Sequence, residues 1–178
     1  RQIHDATGEF CIIIESGDRL AEDALYQVNY RLNLNPDLEL IYSDEDMMSL
    51  DGIHSDPIFK PAWNRELLQV DNYLGKSVCF RRSHALQAGG FDPDLKEHQR
   101  WDLNLKLIEQ TGPEMICHIP LVLFHYWWPD NYRANTTESE SKTEALEILN
   151  RFLKRKGFKS NAKLNLNLGS IQIKHIIK

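Results

Sequence analysis

Apolar residues fall into short runs cut off by acid, glycine or proline, and their spacing alternates between that of strands and that of helices. Phe10 to Ile14 is β-branched and too short for a helix, which predicts a strand buried on both faces. Ala21, Ala24, Leu25, Val28 and Leu32 then recur at helical spacing, with Glu22 and Asp23 near the start, where acid suits the helix dipole. Asn33 to Pro36 ends that helix, and Leu38 to Tyr42 predicts a second short strand. Asp51-Gly52 is a turn signal that places a surface hairpin over Met47 to Phe59. Trp63 to Val70 reads as a short helix and Ser77 to Phe80 as a strand, and Ser83 caps a small helix that stops at Gly89-Gly90. Trp101, Leu103, Leu105, Leu107 and Ile108 mark a mostly buried helix, terminated by Thr111-Gly112-Pro113. Strand material follows at Met115 to Ile119 and Leu121 to His125, broken by Pro120.

The tail has a different character. Ser141 with Glu144 makes a capping-box pattern ahead of Ala145, Ile148, Leu149, Phe152 and Leu153, a regular amphipathic helix that Gly157 closes. Leu164, Leu166 and Leu168 alternate with asparagines, Gly169-Ser170 reads as a two-residue turn, and Ile171 and Ile173 alternate again, predicting a β-hairpin. The whole pattern is that of an α/β chain with residues 1–135 as its main part and 136–178 as a C-terminal helix and hairpin extension.

Composition narrows the options. With 178 residues, 42% hydrophobic, the chain has enough material for one full core. A net charge of -5 argues against a nucleic-acid binder, which would carry a basic face. Cys11, Cys79 and Cys117 stand far apart with neither zinc-site nor disulfide spacing, so a reducing cytosol is the simplest location. No apolar run approaches the roughly 18 residues needed to cross a bilayer, and no signal-peptide pattern is present. Arg1 to Gly8 reads like the end of a helix, and a strand arriving as early as Phe10 is expected to have parallel partners earlier in a longer polypeptide.

Both early strands run into acid, at Glu15-Ser16-Gly17-Asp18 and at Ser43-Asp44-Glu45-Asp46. Open α/β sheets bind ligands at the C-terminal ends of their strands, and an oxygen-rich turn there suits magnesium or manganese, with a diphosphate completing the shell. The alternatives are a solvated turn in which Asp18 caps the following helix, and an ordinary charged loop at Asp44 to Asp46.

Ala6-Thr7-Gly8-Glu9-Phe10, the turn at Glu15 to Asp18, Ile41-Tyr42-Ser43-Asp44-Glu45-Asp46, Ser55-Asp56-Pro57, and Phe59-Lys60-Pro61 together resemble the second half of a family 2 glycosyltransferase with the GT-A fold. Asn72-Tyr73, Arg81-Arg82, Gly89-Gly90-Phe91, Trp101-Asp102-Leu103, His118-Ile119-Pro120 and Phe124-His125 continue the resemblance along almost the whole chain. It implies a partial GT-A, Rossmann-like three-layer domain without its N-terminal nucleotide-binding strands. The parent would move a sugar, with inversion, from a nucleotide-sugar donor to a glycan or lipid-linked acceptor. The setting implied is bacterial surface-polysaccharide assembly in the cytoplasm, at the inner face of the membrane, beside neighbouring domains of one polypeptide. A divalent ion, Mn2+ or Mg2+, is implied on Glu15, Asp18 and His125, with Asp44, Glu45, Asp46, Trp101 and Trp127 near the substrates. The position at which the family carries its catalytic carboxylate is Arg100 here, which takes no proton. Asp102 lies about 200° around the helix from it, and Glu97 lies on its face if the helix extends that far. Arg100 and Gly17 favour the rival reading, a catalytically silent module for glycan binding or domain docking. A small metal-dependent phosphotransfer or hydrolase domain, the third reading, lacks a recognisable nucleophile.

Overall fold

The computed structural model describes residues 2–127, 138–165 and 170–174. A short helix α1 (Gln2–Asp5) precedes β1 (Phe10–Ile12) and β2 (Arg19–Leu20), and α2 (Ala24–Leu34) leads into β3 (Leu40–Met48) and β4 (His54–Ile58). Then come α3 (Arg65–Leu68), β5 (Val78–Arg81), α4 (Arg82–Gln87), α5 (Gln99–Ile108), β6 (Ile116–Trp127), α6 (Glu138–Arg155), β7 (Asn161–Asn165) and β8 (Ser170–Lys174). The main sheet has the order β1-β5-β3-β6-β2, with β4 also paired to β3. Among the described strands, β3 and β6 are the only neighbours paired in parallel.

Alternation along β3 divides the core into two layers. Leu40 and Tyr42 face a large cluster with Leu103, Leu107, Leu149 and Phe152 from α5 and α6. Ile41 faces a smaller one with Ala24, Cys79 and Leu123, against which Val28 and Leu32 of α2 pack. Helices therefore cover both faces of the sheet, giving the expected three-layer α/β architecture. Leu25, expected on the buried face of α2, is 66% exposed instead, beside exposed Tyr26. The three cysteines are free, and burial raises their thiols, Cys79 to about 12.

Four local departures from the sequence reading have physical causes. The strand at Phe10 is shorter than expected and half-buried, because it forms one end of the sheet and pairs antiparallel with β5. Pro120 does not break its strand: β6 runs through it, and the register against β3 slips from Ser43↔Ile119 to Asp44↔Val122, so Pro120 and Leu121 sit in a bulge. Ser170, expected in the terminal turn, is the first residue of β8 and pairs with Asn165; Leu166 and Leu168 lie outside the described residues. The hairpin at Asp51-Gly52 forms as expected, with Met48 opposite His54 and Gly52 at φ 78°.

The fourth departure concerns Ser141 and Glu144, which lie inside α6 rather than at its start. They serve another helix. The Glu144 carboxylate accepts the backbone N–H groups of Lys96 (2.6 Å), Glu97 (2.9 Å) and His98 (2.9 Å), just ahead of α5. His98 Nε2 in turn lies 3.0 Å from both the carbonyl and the hydroxyl oxygen of Ser141. A carboxylate at this end complements the dipole of α5 and docks α6 against it. Burial alone would raise the Glu144 carboxyl, but the amides of Lys96, His98 and Glu97 outweigh it and hold the group below its ordinary value of 4.5. A carboxylate depressed on folding adds stability that is present above its unfolded value and is lost as the pH falls through its folded one. Glu144→Gln is therefore expected to lower the denaturation midpoint at neutral pH, and the gap to the wild type is expected to narrow as the pH drops below 4.5.

Candidate functional site

The acidic turn after β1 closes on itself. Asp18 N–H donates to the Glu15 carbonyl at 3.0 Å, and Glu15 N–H donates to Asp18 Oδ2 at 3.2 Å. Asp18 Oδ1 accepts the backbone N–H of Trp127 at 3.0 Å, joining the turn to the end of β6. Gly17 sits at φ 95°, and a Cβ there would lie 2.8 Å from the Trp127 ring, so both backbone conformation and close packing require glycine.

Two cations meet this turn. Lys76 Nζ lies 2.7 Å from Glu15 Oε2 and 3.4 Å from Asp18 Oδ2, and Arg100 Nη2 donates to Glu15 Oε1 at 3.0 Å. Burial alone would raise the Glu15 carboxyl, but Lys76 and Arg100 overcome it and hold the group below its ordinary value. Arg100 also donates to the Ile13 carbonyl, which fixes the guanidinium beside the turn.

The acids of β3 are buried, each with its own partner. Asp44 Oδ1 accepts from the Lys60 backbone N–H and lies 2.9 Å from His118 Nε2. Glu45 Oε2 accepts from Lys60 Nζ (2.9 Å) and from the amides of Lys76 (2.9 Å) and Ser77 (3.1 Å). Gly75, at φ 62°, permits that approach, because any Cβ there would collide with the Glu45 carboxylate. Glu45 thus fixes the backbone that presents Lys76 to the acidic turn. Asp46 Oδ1 lies 2.6 Å from His125 Nδ1, and Asp46 Oδ2 lies 3.0 Å from His54 Nδ1.

A divalent ion needs donor atoms that can converge on it. Those of Glu15 and Asp18 are engaged by Lys76, Arg100 and two backbone amides, whereas Asp46, His54 and His125 offer one atom each, all within 4.8 Å of one another. The chain's own residues therefore fit an ion at the second group.

No family model matches the sequence. Among curated proteins, the chain is 33% identical over 124 residues to the uncharacterized protein y4gI of Sinorhizobium fredii, 70% of this chain and 14% of that one. It is 35% identical over 118 residues to the O-antigen biosynthesis protein RfbC of Myxococcus xanthus, 66% of this chain and 9% of that one. It thus spans only a small part of either relative. Among solved structures, S. aureus TarS 1-349 matches with a TM-score of 0.54 at 15% identity, over 85% of this chain and 49% of that one. A mycobacterial protein matches with a TM-score of 0.51 at 10% identity, over 98% of this chain and 57% of that one. The chain has a partial GT-A, Rossmann-like α/β fold.

Within this GT-A domain, the structure brings together Glu15, Asp18, Trp127, Asp46 and His125 at the ends of β1, β3 and β6. Glu45 and Asp44 lie one and two residues back, in the interior. The other expected residues lie away from that cluster. Trp101 is packed in the core, its indole N–H donating to the Leu68 carbonyl at 2.7 Å, with an edge lining a cleft beside Asn72, His98 and Ala145. Asp102 is buried on the same helix as Arg100 and pairs with Lys106 at 2.6 Å. Glu97 is exposed and precedes the first residue of α5, so the helix does not carry it onto the face of Arg100. Lys76 and His54 are the site residues that sequence reasoning passes over. Their only local signals are Gly75 before Lys76 and the position of His54 just beyond the Asp51-Gly52 turn.

Proposed function

We propose that the GT-A domain is the acceptor-side part of a family 2 glycosyltransferase that transfers a sugar, with inversion, from a nucleotide-sugar donor to a glycan or lipid-linked acceptor. The observation that carries this reading is the convergence of Lys76 and Arg100 on the turn formed by Glu15 and Asp18, at the strand ends where an α/β sheet receives a diphosphate. The O-antigen biosynthesis protein among the relatives supports a polysaccharide product. The cytosolic face of the membrane is the setting in which a nucleotide sugar would meet such an acceptor. No helix among the described residues is long and apolar enough to cross the bilayer, so attachment would come from neighbouring domains.

In this reading Lys76 and Arg100 supply fixed positive charge to the leaving diphosphate, and the carboxylates beneath them hold both side chains in place before the donor arrives. A divalent ion, magnesium or manganese by the resemblance, would add Lewis-acid stabilisation of the leaving group, and Glu15 and Asp18 would hold it only once the diphosphate has drawn Lys76 and Arg100 off them. Trp127, packed on Gly17, borders the same place. Glu97 lies exposed ahead of α5 and away from this cluster, so it is not assigned the acceptor proton. Asp102 is assigned to holding Lys106, which also donates to the Gly90 carbonyl.

A second reading, a silent glycan-binding or docking module, is favoured by Arg100 itself, which stands at the expected base position and is tied to Glu15. Release of nucleoside diphosphate by the full-length parent, assayed over a panel of nucleotide sugars, tests the choice. The enzyme reading expects acceptor-dependent release from the parent and almost none from the 178-residue chain alone. No release from the parent with any donor, together with retained glycan binding, would establish the silent module.

A further inference from the structure

We infer that Asp46, His54 and His125 form a binding site for a first-row transition ion of the zinc or cobalt kind, built without the carboxylates of the neighbouring acidic turn. The inference stands on the geometry of these three residues and does not depend on the sugar-transfer reading.

The three side chains come from three hydrogen-bonded neighbours, β4, β3 and β6. His125 lies directly opposite Asp46 in the parallel register, and His54 lies opposite Met48, two residues beyond Asp46 on the same strand. Backbone pairing therefore sets their spacing, which is more exact than a loop would allow. Each oxygen of the Asp46 carboxylate faces a different imidazole, at 2.6 and 3.0 Å, and the two rings stand edge to face with centroids 4.4 Å apart. One carboxylate and two imidazoles make a donor set with room for water or a ligand oxygen to complete the shell. Asp46 and His125 are largely shielded, whereas the His54 side chain is 49% exposed, so the group opens to solvent on one side.

Chemistry selects the ion. Magnesium prefers an octahedral shell of oxygens and gains little from imidazole, while two ring nitrogens favour zinc, cobalt or nickel. The acidic turn competes poorly even for a hard cation, because Lys76 and Arg100 already neutralise it. Without an ion, the Nδ1 atoms of His54 and His125 are hydrogen-bonded to Asp46 Oδ2 and Oδ1, so an ion displaces these two internal contacts on arrival. Ligation requires each coordinating nitrogen to be free of its proton.

Titration of the 178-residue chain with Co2+, followed by its visible absorption, and with Zn2+ by calorimetry tests the site. Saturation at one ion per chain is expected, without displacement by excess Mg2+. His54→Ala is expected to weaken binding at least about tenfold, while its far-UV circular dichroism and melting curve stay close to wild type because the side chain is half exposed. His54→Asp, which restores an oxygen donor, is expected to regain part of the affinity and to shift preference from Zn2+ toward Mn2+. The inference fails if no saturable binding occurs, if His54→Ala binds as the wild type does, or if Glu15→Gln, and not His54→Ala, removes the ion. None of these readouts requires a sugar donor or acceptor, so loss of the site and loss of the transferase reading are separate results.

Discussion

Lys60→Met is expected to destabilise the fold by about 3–5 kcal/mol, the usual cost of leaving a buried charge without its partner. The Lys60 side chain is 1% exposed, and its ammonium binds Glu45 Oε2 at 2.9 Å, Ser77 Oγ at 2.7 Å and the Leu74 carbonyl. Burial pushes the ammonium below its ordinary value, against the opposing pull of Glu45 and Asp44. Methionine fills a similar volume but donates nothing, so the Glu45 carboxylate keeps only the amides of Lys76 and Ser77. Urea denaturation of the single variant measures the loss. The double variant with Glu45→Gln removes the orphaned charge and is expected to recover much of it. A single variant as stable as the wild type would mean that the pair contributes nothing.

Lys76→Ala in the full-length parent is expected to lower kcat/KM for the nucleotide-sugar donor by about 100- to 1000-fold, the scale associated with removing one preorganised donor to a developing anion. Lys76 is held from below by its own amide on Glu45 and from the side by Glu15 and Asp18, so its charge is in place before the donor arrives. Lys76→Arg keeps a cation and is expected to retain a larger share of activity than alanine. Steady-state kinetics with both variants decides the matter, and unchanged turnover in Lys76→Ala would remove Lys76 from the reaction. The two results are linked, because the Lys60 and Glu45 pair anchors the backbone that carries Lys76.

Much of the architecture is legible along the chain. Leu40 to Tyr42 alternate between two cores, Ile148, Leu149, Phe152 and Leu153 fall on one helical face, and Asp51-Gly52 turns where it is expected to turn. Both acidic strand ends announce themselves as well. Their partners do not, because each is supplied by tertiary contact at long separation: Lys76 meets Glu15 across 61 positions, and Arg100 meets it across 85. The same limit explains Glu144. Its spacing from Ser141 is that of a capping box, but local spacing cannot show that the amides it binds lie on a different helix. Pro120 misleads for another reason, since a bulge can absorb a missing donor that would otherwise end a strand.

The Glu144 carboxylate also has a bearing on how the chain is made. The amides it satisfies are separated from it by 46 to 48 positions, so during synthesis the start of α5 emerges long before its cap exists. Until the ribosome has delivered α6, that turn stands open and the apolar side of α5 has no cover from Leu149 and Phe152. The nascent polypeptide therefore passes through an interval in which its largest core is unfinished, and a chaperone arriving in that interval would find its grip there.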